Sequence, residues 1–415
     1  MKKDFIFTSE SVTEGHPDKI CDQISDTIVD RFLQGDSLAY VDAECAISQA
    51  MVFIAVQFCS SAIIDIPIVA REVISQVGYN NTELSGKTCT ILTSIKELPR
   101  DFKLVIDEST LSADSLDSMR VQHQVNAFGY ACNQTPAFMP MPIWLAHKLA
   151  RRITAARFTG ALPFLAPDGK TQVSVEYKNG RPYRIHSISL QICQEKSANT
   201  PVETNLRDQV LGQIIEPAFF KEQIFPDDMT RIYIEWDNNL VSGGPMMHSG
   251  LSGRKTAIDT YGEFARNSGS ALSGKSPSRI DRIGTYMARY AAKNIVAAGF
   301  ADECELQISY SVGLSQPVSI QVETFGSGKI EDSKILEILV RHFDFRPASI
   351  LKLFKLRHLP KTLKGGLYRK LAAYGQVGRM DIGLPWEITD KVAVLRGEFL
   401  KFTRETSDAA HDSDR

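Results

Sequence analysis

Three times along the chain a stripe of apolar residues at helical spacing gives way to alternating strand segments, and that recurrence limits the fold more than any other feature. In the first third, Ile20, Ile24, Ile28 and Phe32 predict a helix over 18–34 that begins behind Pro17 and ends at Gly35. An extended pattern from Val41 to Phe58 follows, then a helix from about Ile64 to Val77 with Gly78 as its stop. The middle third predicts a helix from Pro142 to Thr154. Strands Gln172–Tyr177 and Tyr183–Ile192 come next, turned through Asn179-Gly180, then a helix near Arg207–Phe219 and a strand Arg231–Trp236. In the last third, Gly- and Ser-rich turns over 242–277 precede a helix carrying Ile283, Met287, Tyr290, Asn294 and Ile295, with Gly299 just past its end. Strands Glu305–Val312 and Val318–Phe325 and a helix Asp332–His342 complete it. The fold class expected is α+β, with antiparallel sheet and helices repeated three times. Polar, aperiodic residues 98–125 read as a loop between domains, and Arg404–Arg415 as a disordered tail.

Charge and cysteine usage narrow the function. Lys plus Arg number 47 against 49 for Asp plus Glu, a net charge of -2, so no global field marks a nucleic-acid or membrane-surface binder. Any anion site must be built locally. The 7 cysteines are scattered without a C-x-x-C pair, which speaks against a disulfide framework or zinc ribbon and for a reducing cytoplasm. Apolar runs such as Met51–Val56 are strand-sized, far below the roughly 20 residues of a membrane span. Ser9, Glu10 and Glu14 interrupt any signal-peptide pattern.

Several segments carry chemistry. Glu14-Gly15-His16-Pro17-Asp18-Lys19 opens the first helix, whose unpaired N–H groups attract anions while Asp18 could hold a divalent cation. For a helix start of this composition, a Pro-initiated helix with Asp18 as dipole partner is the commoner explanation. Gly250-Leu251-Ser252-Gly253-Arg254-Lys255 pairs close backbone approach with two cations, or is simply an exposed loop. Gly269 to Ser276 formally matches the P-loop pattern, but no apolar strand precedes it and Pro277 delays the next helix, so Lys275 reads as a phosphate contact outside that fold. Asp168-Gly169-Lys170 reads as a turn before a strand.

Together these segments resemble the S-adenosylmethionine synthetase family. The run Phe7 to Asp26 looks like its opening, and GLSGRK at 250–255, DTYG at 259–262, ARYAAKNIVAAG at 288–299, VETFG at 322–326 and PWEITDK at 385–391 follow in order. The resemblance implies three domains related by pseudo-threefold symmetry, at 1–105, 118–240 and 241–391 with a tail at 392–415, assembled as a homodimer or a dimer of dimers. It implies joining the adenosyl group of ATP to the sulfur of methionine or a methionine-like thioether, with Mg2+ and K+ as cofactors. His16, Lys170, Arg254, Lys255 and Lys275 would contact the triphosphate. Asp18 and Asp281 would hold magnesium, Glu44 potassium, and Asp168, Ala271 and Leu240 would lie by the nucleotide. In the acceptor pocket Gln57, His123 and His248 stand where the family has carboxylates, and Arg279 where it has lysine. That predicts a pocket stripped of its acids, hence an altered acceptor or a non-catalytic paralogue as the alternative to methionine chemistry.

Overall fold

In the computed structural model, residues 4–80, 84–99, 106–195, 203–235 and 243–401 are described. The first helix, α1 (Pro17–Gly35), buries Ile20, Ile24, Ile28 and Phe32 completely or nearly so, each side chain contributing about 1.5–3 kcal/mol. Beneath it lies a sheet of β2 (Tyr40–Ser48), β3 (Met51–Cys59), β4 (Thr90–Glu97) and β9 (Gly250–Leu251), in the order β4-β3-β2-β9. Strands β2 and β3 alternate cleanly: Val41, Ala43, Cys45, Ile47, Val52, Ile54 and Val56 face α1, and Asp42, Glu44, Met51, Phe53 and Gln57 face outward. Helix α2 (Ile66–Val77) ends at Gly78 in the left-handed region, as its sequence predicts.

A second sheet has the order β1-β6-β7-β8, from β1 (Phe5–Val12), β6 (Leu165–Lys178), β7 (Arg181–Gln194) and β8 (Arg231–Glu235), and α3 (Met141–Phe158) packs on it. The third, β11-β10-β5, joins β5 (Val125–Cys132), β10 (Glu303–Tyr310) and β11 (Ser319–Glu323) under the helix Ile280–Ala298. The three layers interlock by one rule. Each principal helix follows a strand that belongs to a different sheet: β1 before α1 joins the second, β5 before α3 the third, and β9 before helix Ile280–Ala298 the first. This cyclic exchange is a threefold repetition of the α+β unit, and two of its sheets add one parallel pair, β3–β4 and β7–β8.

The helix expected near 207–219 is broken by a π turn at Leu211–Ile215. Asp168-Gly169-Lys170 does not form the expected turn. Its Gly169 pairs with Ile192 and Lys170 with Gln191 and Val12, so the triplet lies inside β6 beside an irregularity that absorbs the glycine. None of the 7 cysteines forms a disulfide, and among the described residues no helix is long and apolar enough to cross a membrane.

Candidate functional site

One face of α1 organises the functional loops. Asp18, Asp22, Asp26 and Asp30 recur every fourth residue, and each accepts backbone N–H groups from a distant segment. Asp18 takes Leu251 N at 3.0 Å, Asp22 takes Gly253 N at 2.7 Å, Asp26 takes Gly274 N at 2.8 Å, and Asp30 takes Leu367, Tyr368 and Arg369. Lys19, fully buried between Asp22 at 2.9 Å and Asp259 at 2.5 Å, neutralises the middle of the row. The glycines in these loops are required by proximity. A Cβ on Gly250 would lie 2.2 Å from the Pro17 backbone, and one on Gly274, whose φ is +79°, would lie 2.0 Å from Ala43 O.

The first cluster forms where the loop 250–255 meets the start of α1. His16 caps the helix, its Nδ1 accepting from Asp18 N at 3.2 Å. Burial first, then the charges of Lys255 and Lys170, push its pKa down to about 2, so the ring stays neutral and Nε2–H is left to donate to an anion. Arg254 approaches Asp18 to 3.6 Å, and Lys255 lies 3.9 Å from Glu10. His248 stands edge-on to His16 with ring centroids 5.1 Å apart, its Nε2 3.3 Å from Asp168 Oδ2. Asp168 Oδ2 also accepts from Gly244 N at 2.7 Å, while Oδ1 is buried without a partner. His16, Asp168 and His248 bring ligand atoms within 4.8 Å of one another, a donor set better suited to a borderline metal such as zinc than to magnesium. Ala271 packs against Gly253 and so stands beside this loop.

A second cluster forms at a different point on β2. Asp42 makes an isolated bridge to Lys275, and its Oδ2 receives Arg279 at 2.6 Å and the Tyr40 hydroxyl at 2.6 Å. Asp281 is shared by Lys275 at 3.1 Å and Arg279 at 3.5 Å. His123 feels all four charges, and burial, ahead of Arg279, holds its pKa below the ordinary value. Arg279 and His123 line a cavity of about 500 Å³ whose apolar walls include Ile106, Met119, Val121 and Ile280.

The site residues predicted from sequence therefore divide. His16, Asp18, Asp168, Lys170, His248, Arg254 and Lys255 come together, whereas Lys275, Arg279, Asp281 and His123 form a separate group. Lys275 does not join the other triphosphate candidates within one chain, because Asp26 and Ala43 tie Gly274 to the far end of the sheet. Glu44 and Gln57 are exposed on the open face of the first sheet. Leu240 lies outside the described residues. Asp42, at the centre of the second cluster, sits in an extended run and carries no motif; like Glu44 two residues on, it is a charge on the outward face of a strand whose other face is apolar.

Comparison with known proteins agrees with the resemblance. The family models for the S-adenosylmethionine synthetase N-terminal, central and C-terminal domains match residues 4–99, 118–239 and 242–388. An S-adenosylmethionine synthase from Gloeothece citriformis is 44% identical over 411 residues, covering 96% of this chain and 98% of the relative. The enzyme of that name from Thermosynechococcus vestitus is 44% identical over 413 residues, 96% and 99% covered. With all three domains matched in order, the chain belongs to the S-adenosylmethionine synthetase family.

Proposed function

We propose that this protein joins the adenosyl group of ATP to the sulfur of methionine, releasing triphosphate that is then cleaved to pyrophosphate and phosphate. The observation that carries the reading is the convergence of His16, Lys170, Arg254 and Lys255 on the start of α1, where the helix dipole adds to their pull on a polyanion. Attack of a thioether sulfur on C5′ of ATP asks for no general base. It asks that the nucleophile and C5′ be held in line and that charge on the departing triphosphate be stabilised.

Asp18 suits a hard divalent cation: Oδ1 accepts from Leu251 N–H and lies 3.6 Å from Arg254, while Oδ2 lies 3.7 Å from His16 Nδ1. Magnesium held there would neutralise phosphate oxygens. Asp281 would share in holding magnesium, and Glu44, exposed on the sheet, would face potassium.

The two clusters require a partner subunit. They meet β2 at different points, the loop 250–255 at Ala46 and Ile47 and the second cluster at Asp42, four to five residues or roughly 13–17 Å along the strand. Between them the open sheet face carries an apolar row in register across all four strands, Leu251, Ala46, Phe53 and Leu92, with Leu251 48%, Phe53 46% and Leu92 48% exposed. A second copy on this face, turned by a twofold axis, sets the phosphate cluster of each chain against the acceptor cluster of the other. The product is a homodimer with two shared sites.

Incubation of the full-length protein with ATP, Mg2+ and K+, with and without methionine, tests the reading by mass spectrometry. The expected result is a methionine-dependent adenosyl sulfonium together with pyrophosphate and phosphate. Absence of any nucleotide chemistry would leave a non-catalytic relative instead.

A further inference from the structure

A methionine acceptor, as proposed above, arrives as a zwitterion, and burying it calls for an acid opposite the ammonium and a cation opposite the carboxylate. Neither Gln57 nor neutral His123 supplies that acid. Asp281, one of the two carboxylates acting on His123, has Lys275 on Oδ1 and Arg279 on Oδ2. Asp42, the other, has Tyr40 and Arg279 on Oδ2 only, and its Oδ1 is buried with no hydrogen-bond partner. Arg279 Nε is likewise buried and unpartnered. An unfilled buried acceptor beside an unfilled buried donor is uncommon and calls for a partner that bears both complementary groups.

The register identifies what Asp42 replaces. Asp42 lies directly opposite Gln57 in the β2–β3 ladder, on the same outward face, where opposed Cβ atoms are about 4.5–5.5 Å apart. A negative charge at 42 therefore reaches nearly the same volume as one at 57. We infer that Asp42 is the residue that selects the acceptor's ammonium, with Arg279 taking its carboxylate, the acid having moved one strand across from position 57. The acceptor class is then an α-amino acid thioether with its amine intact, and a deaminated thioether acid is discriminated against through Asp42.

The test compares the full-length protein with Asp42→Asn and with Asp42→Asn/Gln57→Glu, using methionine and 4-methylthiobutanoate as acceptors. Asp42→Asn should raise the KM for methionine by about 10- to 100-fold, the loss of one charge-assisted hydrogen bond. It should leave the KM for ATP unchanged, and because Asp42 also holds Arg279, any rise in the KM for 4-methylthiobutanoate should be about tenfold smaller than the rise for methionine. Adding Gln57→Glu should lower the raised methionine KM again by roughly tenfold. A methionine KM within threefold of wild type, an equal loss for both acceptors, or no recovery in the double variant would overturn the inference. Calorimetric titration of methionine in the presence of a non-hydrolysable ATP analogue separates this from the activity itself. Asp42-dependent methionine binding without turnover sinks adenosyl transfer and keeps the assignment of Asp42. Binding that is absent or indifferent to Asp42 sinks the assignment.

Discussion

Replacing Asp26 by Ala should damage both stability and function, to different extents. Its carboxylate is fully buried, accepts Gly274 N–H at 2.8 Å and pairs with Arg282 at 2.6 Å, whose side chain is 0% exposed. The guanidinium left behind keeps Tyr286 at 3.1 Å and the Tyr368 ring at 4.4 Å, neither of which can neutralise it. Removing one partner of a buried pair costs about 3–5 kcal/mol, and the freed Gly274 N–H adds about 1 kcal/mol. Urea unfolding should therefore show a loss of about 4–6 kcal/mol for Asp26→Ala. Asp26→Ala/Arg282→Met removes the stranded charge and should return most of that loss. It should not return activity, because Gly274 and with it Lys275 remain untethered from α1. A loss below about 1 kcal/mol in the single variant, or a double variant no more stable than the single, would refute the role assigned to this pair.

Two further outcomes follow from the same geometry. His16 has a folded-state pKa of about 2 against 6.5, so below pH 6.5 the unfolded chain binds a proton that the folded one refuses, and stability falls as pH drops. His16→Asn should flatten that decline by about 1.4 kcal/mol per pH unit between pH 6 and 4, as measured by urea unfolding at several pH values; an unchanged slope would mean that His16 is not held neutral. Phe53→Lys, placed on the open sheet face, should shift sedimentation from dimer to monomer and abolish product formation while leaving far-UV circular dichroism unchanged; an active dimer would rule that face out.

Periodic residues made most of the fold legible. Ile20, Ile24, Ile28 and Phe32 announce α1, and Asn179-Gly180 announces the β6–β7 turn, with both residues at positive φ. The missing strands lacked such signals. In β4 most residues are exposed, so nothing enforces alternation, and β1 carries Thr8, Ser9, Glu10 and Ser11 because its place at the edge of a distant sheet is set by pairing with β6. Composition carries little trace of strand exchange between sheets. At the site, motif residues such as His16 and Arg254 stood out through their local runs. Asp22, Asp26 and Asp30 did not, since their partners are backbone N–H groups more than 200 residues away that any sequence could provide. Asp42 was hidden for a related reason: its meaning comes from the residue opposite it, and register is invisible until the hairpin closes.

Subunit complementation examines the shared site most directly. Lys170→Ala disables the phosphate cluster and Lys275→Ala the acceptor cluster, so each homodimer should be inactive. Unfolding and refolding an equal mixture gives about half mixed dimers, each with one intact site of two, and hence about a quarter of wild-type adenosyl sulfonium production. Recovery near that fraction is the predicted result; a mixture as inactive as its components would contradict a site divided between two chains.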